Sequence, residues 1–273
     1  MRAVWFIGKF ELVLNCTKYP NYSPKSRTPQ EPQNVGSNFK KRNMKTNFSK
    51  LTLTALLLIL AVSVFGQTRN RDNIKRAINE WGTCRNVAIT AYGGDIALNY
   101  RNGCAFSGNV PQKLYDALVE LNDDNEFIDD IVLSEEGRYL ILYGNNGFVW
   151  NTLPYGLERK MREYNNDKDV ITSVAFNDNN DWIIIGEKIS ASSDNLMQTI
   201  KDGMNKYGAL WTAHLTNDGL ALVYERGFQY FGNVPEQLKI RAKNADFDVY
   251  RLKFTSDGAF FISDKKGNFD YRM

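Results

Sequence analysis

Apolar residues spaced two apart recur five times along the chain after residue 82. A period of two is typical of a β-strand, because alternate side chains point to the same face. The pairs are Val87/Ile89, Ile131/Leu133, Val174/Phe176, Ala213/Leu215 and Leu252/Phe254. A turn rich in Asp, Asn and Gly and then a second apolar run follow each pair, and in four places a third, aromatic run comes after another Gly-containing turn. The pattern predicts sets of three strands joined by tight turns.

Apolar residues at helical spacing follow the strands in four of the five places. Each stripe predicts an amphipathic helix that buries one face. The faces are Leu114/Leu118/Leu121, Leu157/Met161/Tyr164, Leu196/Ile200/Tyr207 and Leu238/Ala242/Ala245. Pro111, Pro154 and Pro235 are predicted at the first helical position, where proline is tolerated. The remaining helix lacks a proline, and Ser193 or Asp194 is predicted to cap it.

An internal repeat organises these elements. The stretch GNVPQKL at 108–114 recurs as GNVPEQL at 232–238, a separation of 124 residues. Because the turns recur every 39 to 44 residues, this separation is three periods of about 41 residues. Periods of this length are typical of solenoids and propellers, so we predict an α+β repeat protein of five βββα units. The units lie near 82–125, 126–168, 169–208, 209–247 and 248–273.

The two ends of the repeat are permuted. The last strand set reaches Met273 with no helix after it, whereas a helix over 70–81 with Ile74, Ile78 and Trp81 on one face precedes the first strand set. This arrangement predicts a closed, propeller-like ring whose N-terminal helix completes the last unit. The alternative is an open solenoid, which would need a cap at each end. One unit is too small to bury a core alone, so residues 67–273 are predicted to form a single domain.

The hairpins LTNDGLALVY and FTSDGAFFIS resemble those of β-propeller blades. Read cyclically, βββα units also resemble the five-fold αβ-propeller of the pentein class, and the chain looks like the short βββα repeats of secreted bacterial proteins of unassigned role. The pentein resemblance implies an enzyme that modifies guanidino groups with a Cys nucleophile, a His and acidic partners. Cys84 and Cys104 lie in the first unit instead of near the C-terminus, so no catalytic residue is carried over.

An uncharged apolar run over residues 51–65 follows Lys45 and Lys50. With a basic start and a small residue at its end, it predicts a signal peptide over 44–66 that is cleaved between Gly66 and Gln67. A 15-residue helix would span ~22 Å, less than the roughly 30 Å of a bilayer core. The alternative is an uncleaved anchor. The protein is therefore predicted to be secreted or periplasmic, by Gram-negative-type export, with no stable membrane insertion after cleavage.

Residues 1–43 are polar, basic and contain four of the seven prolines. They are interpreted as an upstream extension before a true start at Met44, or as a disordered basic segment.

The first 66 residues hold ten Lys and Arg and two Asp and Glu, which leaves 24 basic and 29 acidic side chains in 67–273, a net charge of −5. A mildly acidic domain without long basic runs does not favour a nucleic-acid partner.

The candidate chemistry of this chain is sparse. It has no Gly-rich phosphate loop, GxSxG, HExxH or CxxC motif, so no cofactor and no metal is predicted. His214 is the single histidine, and the slot that it shares with Lys253 in the last unit predicts a half-exposed side chain. Acidic residues cluster at two places and are attributed to turns and loops: Asp123, Asp124, Glu126, Asp129, Asp130 and Asp178, Asp181.

Export permits a disulfide between Cys84 and Cys104. The bridge would close a loop of about 20 residues and contribute about 3 kcal/mol in the chain-entropy model. The alternative is two buried thiols.

Aromatic residues that recur from unit to unit are the strongest remaining signal. Those that point outward could stack on sugars or grip a peptide, and the alternative is that they fill the space between sheet and helix. The predicted contact residues are Tyr100, Tyr143, Trp150, Tyr224 and Tyr230. These residues favour a secreted, non-enzymatic binding module for a glycan or an extracellular or envelope protein. The alternatives are an enzyme (a glycan hydrolase or a pentein-like guanidino-modifying enzyme) and a structural subunit of an envelope complex.

Overall fold

A computed structural model describes residues 71–99, 103–144, 146–193 and 195–273. The predicted upstream extension, the signal peptide with Gly66 and Gln67, and the candidates Tyr100 and Asp194 lie outside the described residues. Within the described ranges, no helix is long and apolar enough to cross a membrane.

Fifteen short strands form five sheets in the described residues, each with three antiparallel strands in chain order. The strands are β1 (Asn86–Ala88), β2 (Ile96–Leu98), β3 (Cys104–Phe106), β4 (Ile128–Leu133), β5 (Tyr139–Tyr143), β6 (Gly147–Trp150), β7 (Ile171–Phe176), β8 (Trp182–Gly186), β9 (Ser190–Ser192), β10 (Leu210–Leu215), β11 (Gly219–Tyr224), β12 (Gly227–Gly232), β13 (Arg251–Phe254), β14 (Phe260–Ser263) and β15 (Phe269–Arg272). The predicted repeat of five three-stranded units with helices is confirmed.

Helices lie where the apolar stripes place them. They are α1 (helical over the described residues 71–81), α2 (Gln112–Asp123), α3 (Leu157–Asn166), α4 (Met197–Tyr207) and α5 (Glu236–Lys243). Pro111 and Pro235 directly precede α2 and α5. Pro154, in contrast, lies three residues before α3, because Gly156 turns the chain with a left-handed φ of 83°. The predicted Ser193 cap is wrong, since α4 begins after Leu196 without a side-chain cap.

The core consists of five apolar clusters, and each contains one helix and parts of two successive sheets. The two faces of a middle strand belong to different clusters: Ile141 packs with α2, whereas Leu140 and Leu142 pack with α3. This is the consequence of the period of two, which gives each sheet two buried faces. The sheets and helices therefore alternate along the chain, and no single unit encloses a core.

Helix α1 packs between the last sheet and the first one. Ile74 and Ile78 are fully buried in a cluster with Phe261 of β14 and with Val87 and Ala97 of β1 and β2. This is the position that α2 to α5 take between the other pairs of successive sheets.

The five first strands are neighbours in chain order, and β13 also contacts β1. No hydrogen-bonded sheet in the described ranges runs from one unit into the next. Side chains and loops make the link between the last unit and the first instead. The Ser263 hydroxyl donates to the Arg85 carbonyl at 2.9 Å, and the Cys84 N–H donates to the Gly267 carbonyl at 2.9 Å.

Arg71 of α1 adds a polar link on the side of the first hairpin turns. Its guanidinium lies 2.9 Å from the Asp257 carboxylate and 3.4 Å from the Asp95 carboxylate, and it donates to the Thr90 carbonyl at 2.8 Å. Asp257 belongs to the last unit, whereas Thr90 and Asp95 belong to the first.

Candidate binding site at the start of the first strands

The predicted contact aromatics do not lie together. Tyr143, Trp150, Tyr224 and Tyr230 pack against four different core clusters. Tyr224 is only 2% exposed, and its hydroxyl donates to the Gln229 side chain at 2.8 Å. Its ring could not stack on a ligand without leaving the core.

The other three described candidates are half-buried between sheet and helix. The Trp150 ring lies 5.1 Å from the Phe148 ring and 5.7 Å from the guanidinium of Arg162 on α3. The Tyr230 ring lies 6.0 Å from the Phe228 ring, and its hydroxyl is buried without a hydrogen-bond partner among the described residues. Repeated third-strand aromatics thus contribute to sheet–helix packing in each of these units.

Cys84 and Cys104 are both buried, in two different core clusters, and no disulfide joins them. The Cys84 Sγ lies 3.5 Å from the carbonyl oxygens of Asn86 and Leu98. Burial raises the pKa of the Cys84 thiol to about 12. A nucleophilic cysteine needs a lowered pKa, so Cys84 has the properties of a packing residue.

We therefore expect two free thiols in purified residues 67–273. Alkylation of the denatured, unreduced protein should add two groups per chain by intact mass, whereas the native protein should react slowly because both sulfurs are buried. Addition of no group after denaturation would instead establish the Cys84–Cys104 bridge.

His214 is held as a neutral side chain. Its Nε2 lies 2.7 Å from the Phe254 carbonyl oxygen, which only accepts, so Nε2 carries the proton. Burial and the nearby Lys253 lower the pKa of His214 to about 3. The predicted half-exposed slot is wrong for Lys253, which is 4% exposed, because a buried carboxylate partners it.

That carboxylate is Asp130 of β4, the centre of a buried polar cluster on the first strands. Its Oδ1 accepts from the Asn86 amide at 2.6 Å and lies 3.2 Å from the Arg251 Nη1 and 3.6 Å from the Lys253 Nζ. Its Oδ2 accepts from the Ser173 hydroxyl at 3.0 Å. Asp130 is therefore a fully buried strand residue, and the attribution of its acidic cluster to loops is wrong at this position.

Charge and hydrogen bonding set the protonation of this cluster. Burial alone would raise the pKa of Asp130, but Lys253, Arg251, Asn86 and Ser173 lower it to about 2. Burial lowers the pKa of Lys253, while Asp130 opposes that shift.

A bulge marks the start of the first strand in three units. The pairing register shifts between Ile128 and Asp130, and between the corresponding residues of β7 and β10, so that Asp129, Thr172 and Trp211 are extra residues. In the first unit the Arg85 N–H donates to the Leu98 carbonyl, and Leu98 pairs with the next residue, Asn86. In the last unit the Tyr250 N–H donates to the Ser263 carbonyl, and Ser263 pairs with Arg251. Arg85 and Tyr250 therefore hold the positions that correspond to the three bulge residues. Bulges redirect side chains and are common beside functional sites. We call Arg85, Asp129, Thr172, Trp211 and Tyr250 the bulge set.

The bulge set combines different chemistries at five equivalent positions. Arg85 is 7% exposed, and its guanidinium donates to the carbonyls of Asn99 at 2.9 Å, of Ile128, and of Asp129 at 3.4 Å. The Arg251 Nη2 donates to the same Asp129 carbonyl at 2.7 Å. These bonds connect the first, second and last units at one place.

Two half-buried aromatic rings belong to the bulge set, and one of them, Tyr250, has its centroid 5.4 Å from the Arg251 guanidinium carbon. The ring centroids of Trp211 and Tyr250 lie 5.8 Å apart at an interplanar angle of 50°. The exposed Lys265 places its Nζ 4.6 Å from the Tyr250 centroid and 5.4 Å from the Trp211 centroid. The ring centroid of Phe127, which is 45% exposed, lies 4.2 Å from the Arg85 guanidinium carbon.

Asp129 supplies a partly exposed carboxylate to this surface. Burial raises the pKa of Asp129 to about 6, although Arg85 and Arg251 oppose the shift. The arrangement can therefore bind a ligand through ring stacking, hydrogen bonds and charge.

The opposite ends of the first strands enclose a small recess. A recess lined by His214, Glu135 and Asp178 has a free volume of about 20 Å³, enough for about one water molecule. Glu135 accepts from the Ala91 N–H at 2.9 Å, and Asp178 accepts from the Glu136 N–H at 3.2 Å. These carboxylates link neighbouring turns across the units.

The bulge set does not follow from the features that the five units share. The signal was nonetheless present: the position two residues before each apolar pair holds Arg, Asp, Thr, Trp or Tyr. A repeat that keeps its packing residues and varies one position is typical of a binding surface on a repeated scaffold.

The described chain is an α+β repeat protein of five three-stranded sheets with helices. Its structural neighbours are β-propeller-like proteins. A streptogramin B lyase structure matches with a TM-score of 0.26 and 9% identity over 69% of this chain and 65% of that chain, just under two thirds of its length. YCF48 bound to D1 peptide matches with a TM-score of 0.21 and 12% identity over 52% of this chain and 67% of that chain. No protein-family model and no curated protein matches the chain.

Proposed function

We propose that residues 67–273 form an exported, non-enzymatic module that binds a glycan on the bulge set. The observation that carries the proposal is the pair of half-buried rings, Trp211 and Tyr250, with the Lys265 ammonium 4.6 Å from the Tyr250 centroid, at positions equivalent to those of Asp129 and Thr172. Aromatic faces pack on the apolar faces of sugar rings, and adjacent charged and hydroxyl groups bind sugar hydroxyls. An envelope protein is the alternative partner. Export depends on the signal peptide predicted over 44–66.

A binding role is also supported by the state of two reactive residue types. The Cys84 thiol has a raised pKa, and His214 is neutral and donates to a backbone carbonyl. A Cys–His nucleophile pair needs a thiol of lowered pKa and a histidine with a ring nitrogen that can accept the thiol proton.

We also propose that the five units close into a ring, with α1 completing the last unit. Three observations support closure: β13 contacts β1, α1 packs between their sheets, and Arg71 links their turns. A ring would bring the five members of the bulge set around one axis, so the ligand would meet one composite site instead of five equivalent ones.

The test of the proposed function is a binding screen of residues 67–273 against neutral and acidic oligosaccharides, with sugar release and protein capture followed in parallel. Trp211→Ala and Tyr250→Ala should each weaken glycan binding by roughly tenfold or more, as for central aromatic contacts. Trp211→Tyr should retain most of the affinity because it keeps a ring. Tyr155→Ala is the matched control, since Tyr155 is 95% exposed and outside the bulge set.

Three outcomes would overturn this proposal. Loss of binding in Tyr143→Ala but not in Trp211→Ala would instead support the repeated aromatic sites. Sugar release would indicate a glycan hydrolase. Binding of one envelope protein with no affinity for any glycan would indicate an interaction subunit.

A further inference from the structure

We infer that the bulge-set site selects a sugar that bears a carboxylate, a uronic acid, over the corresponding neutral sugar. The inference rests on the proposed function and names the chemical class of its ligand. It follows from the balance of charge at the start of the first strands.

Cations outnumber carboxylates at this place. Arg85, Arg251 and Lys253 are 4–9% exposed, and Lys265 lies at the surface beside them. The carboxylates that act on the buried cations are Asp129 and Asp130. The three buried cations therefore exceed the two carboxylates by one positive charge, whereas residues 67–273 as a whole carry a net charge of −5. Buried charges are ordinarily paired, so a local excess of this sign favours an anionic ligand.

The pairing pattern shows where the excess lies. Asp130 forms ion pairs with two cations, because its Oδ1 lies within reach of both Arg251 and Lys253. Arg85 donates to three backbone carbonyls, and none of the ion pairs among the described residues includes its guanidinium. Arg85 and Arg251 also converge on one acceptor, the Asp129 carbonyl. An added carboxylate would reduce the repulsion between these two guanidinium groups.

Lys265 places a positive charge next to the rings of Trp211 and Tyr250. Its ammonium lies 5.4 Å from the Trp211 centroid and 4.6 Å from the Tyr250 centroid. A sugar stacked on either ring would therefore have an ammonium within reach of its substituents. A carboxylate substituent would gain an ion pair there, whereas a hydroxymethyl group would not. Asp129 acts in the opposite direction, because its charge repels a bound carboxylate.

The experiment compares one oligosaccharide in two forms, an oligogalacturonate and its methyl ester, by calorimetry at pH 7 and low salt. The acid form should bind roughly tenfold more tightly or better, as expected for charge-assisted hydrogen bonds. The difference should shrink at about 0.5 M salt because salt screens the attraction. Equal affinity of the two forms would overturn the inference.

Two variants that leave the core intact test the charges individually. Lys265→Gln should weaken binding of the acid form by roughly 2–5-fold, whereas Lys266→Gln, at the next exposed position, should leave it unchanged. Asp129→Asn should raise the ratio of acid-form affinity to ester affinity by a similar factor, because it removes the charge that repels a bound carboxylate. A lower ratio in Asp129→Asn, or equal effects at positions 265 and 266, would contradict the inference.

The experiments distinguish a failure of this inference from a failure of the proposed function. If acid and ester bind equally and Trp211→Ala still weakens both, the inference is contradicted and the glycan-binding function stands. No binding of either form, nor of any neutral glycan, would remove both. Binding of an acidic peptide in place of the glycans would also remove both and assign the site to a protein partner.

Discussion

Asp130→Asn is expected to lower the free energy of unfolding by roughly 3–5 kcal/mol at pH 7, the cost of breaking a buried ion pair from one side. The side chain of Asp130 is 0% exposed and holds two cations, Arg251 and Lys253, at 3.2 and 3.6 Å. Asparagine keeps the size but leaves both cations without a negative partner. Its amide would also face the Asn86 amide that now donates to Oδ1. Urea unfolding followed by tryptophan fluorescence measures the loss.

The pH dependence gives the same prediction an independent readout. The pKa of Asp130 is about 2 in the folded protein, against an ordinary value of 3.8. A lowered carboxyl pKa stabilises the folded state above the unfolded pKa, and that stability is lost as the pH falls from about 4 to about 2. The wild-type protein should therefore lose stability over this window, and Asp130→Asn should lose less.

Two further variants serve as controls for Asp130→Asn. Asp129→Asn changes the adjacent, half-buried carboxylate, whose raised pKa of about 6 costs stability as the pH rises above about 4, in full above about 6. It should be neutral or slightly stabilising at pH 7. Lys253→Met in the Asp130→Asn background should recover part of the loss, since it removes one unpaired buried charge. A loss below about 1 kcal/mol in Asp130→Asn would mean that the cluster is not the centre of the first-strand packing.

The periodic part of the fold could be predicted from the sequence because it depends on local spacing. Strand pairs such as Val87/Ile89 and stripes such as Leu114/Leu118/Leu121 are buried in the structure as expected. The helix boundaries differ from the prediction where local chemistry departs from the repeat. Helix α3 begins after Gly156 instead of at Pro154. The left-handed backbone at Gly156 provides that start, and no apolar periodicity reports it.

The candidate site could not be predicted in the same way, because its contacts join residues far apart in sequence. Arg251 and Asp129 are separated by 122 positions, and Asp130 and Asn86 by 44. No periodicity predicts that a buried aspartate will partner a lysine in another unit, so the sequence predicts a half-exposed slot at Lys253. The repeated aromatics differ from the prediction in the opposite direction. Tyr224 is predicted as a contact residue, yet its side chain lies in the core.

Ile78→Ala is expected to cost roughly 2–5 kcal/mol, the range for removing a buried aliphatic side chain. Ile78 is 0% exposed and packs against Phe261 of the last sheet and Val87 of the first. Leu118 of α2 has the equivalent place between the first two sheets and is also 0% exposed.

The comparison of these two helices tests ring closure. In a ring α1 is one of five equivalent helices, so Ile78→Ala and Leu118→Ala should cost similar amounts and leave one cooperative transition in urea. Glu80→Ala, on the exposed face of α1, should change the unfolding free energy by less than about 0.5 kcal/mol. In an open solenoid α1 would be a terminal element that separates before the rest. Ile78→Ala would then cost much less than Leu118→Ala, and that result would replace the ring with a solenoid.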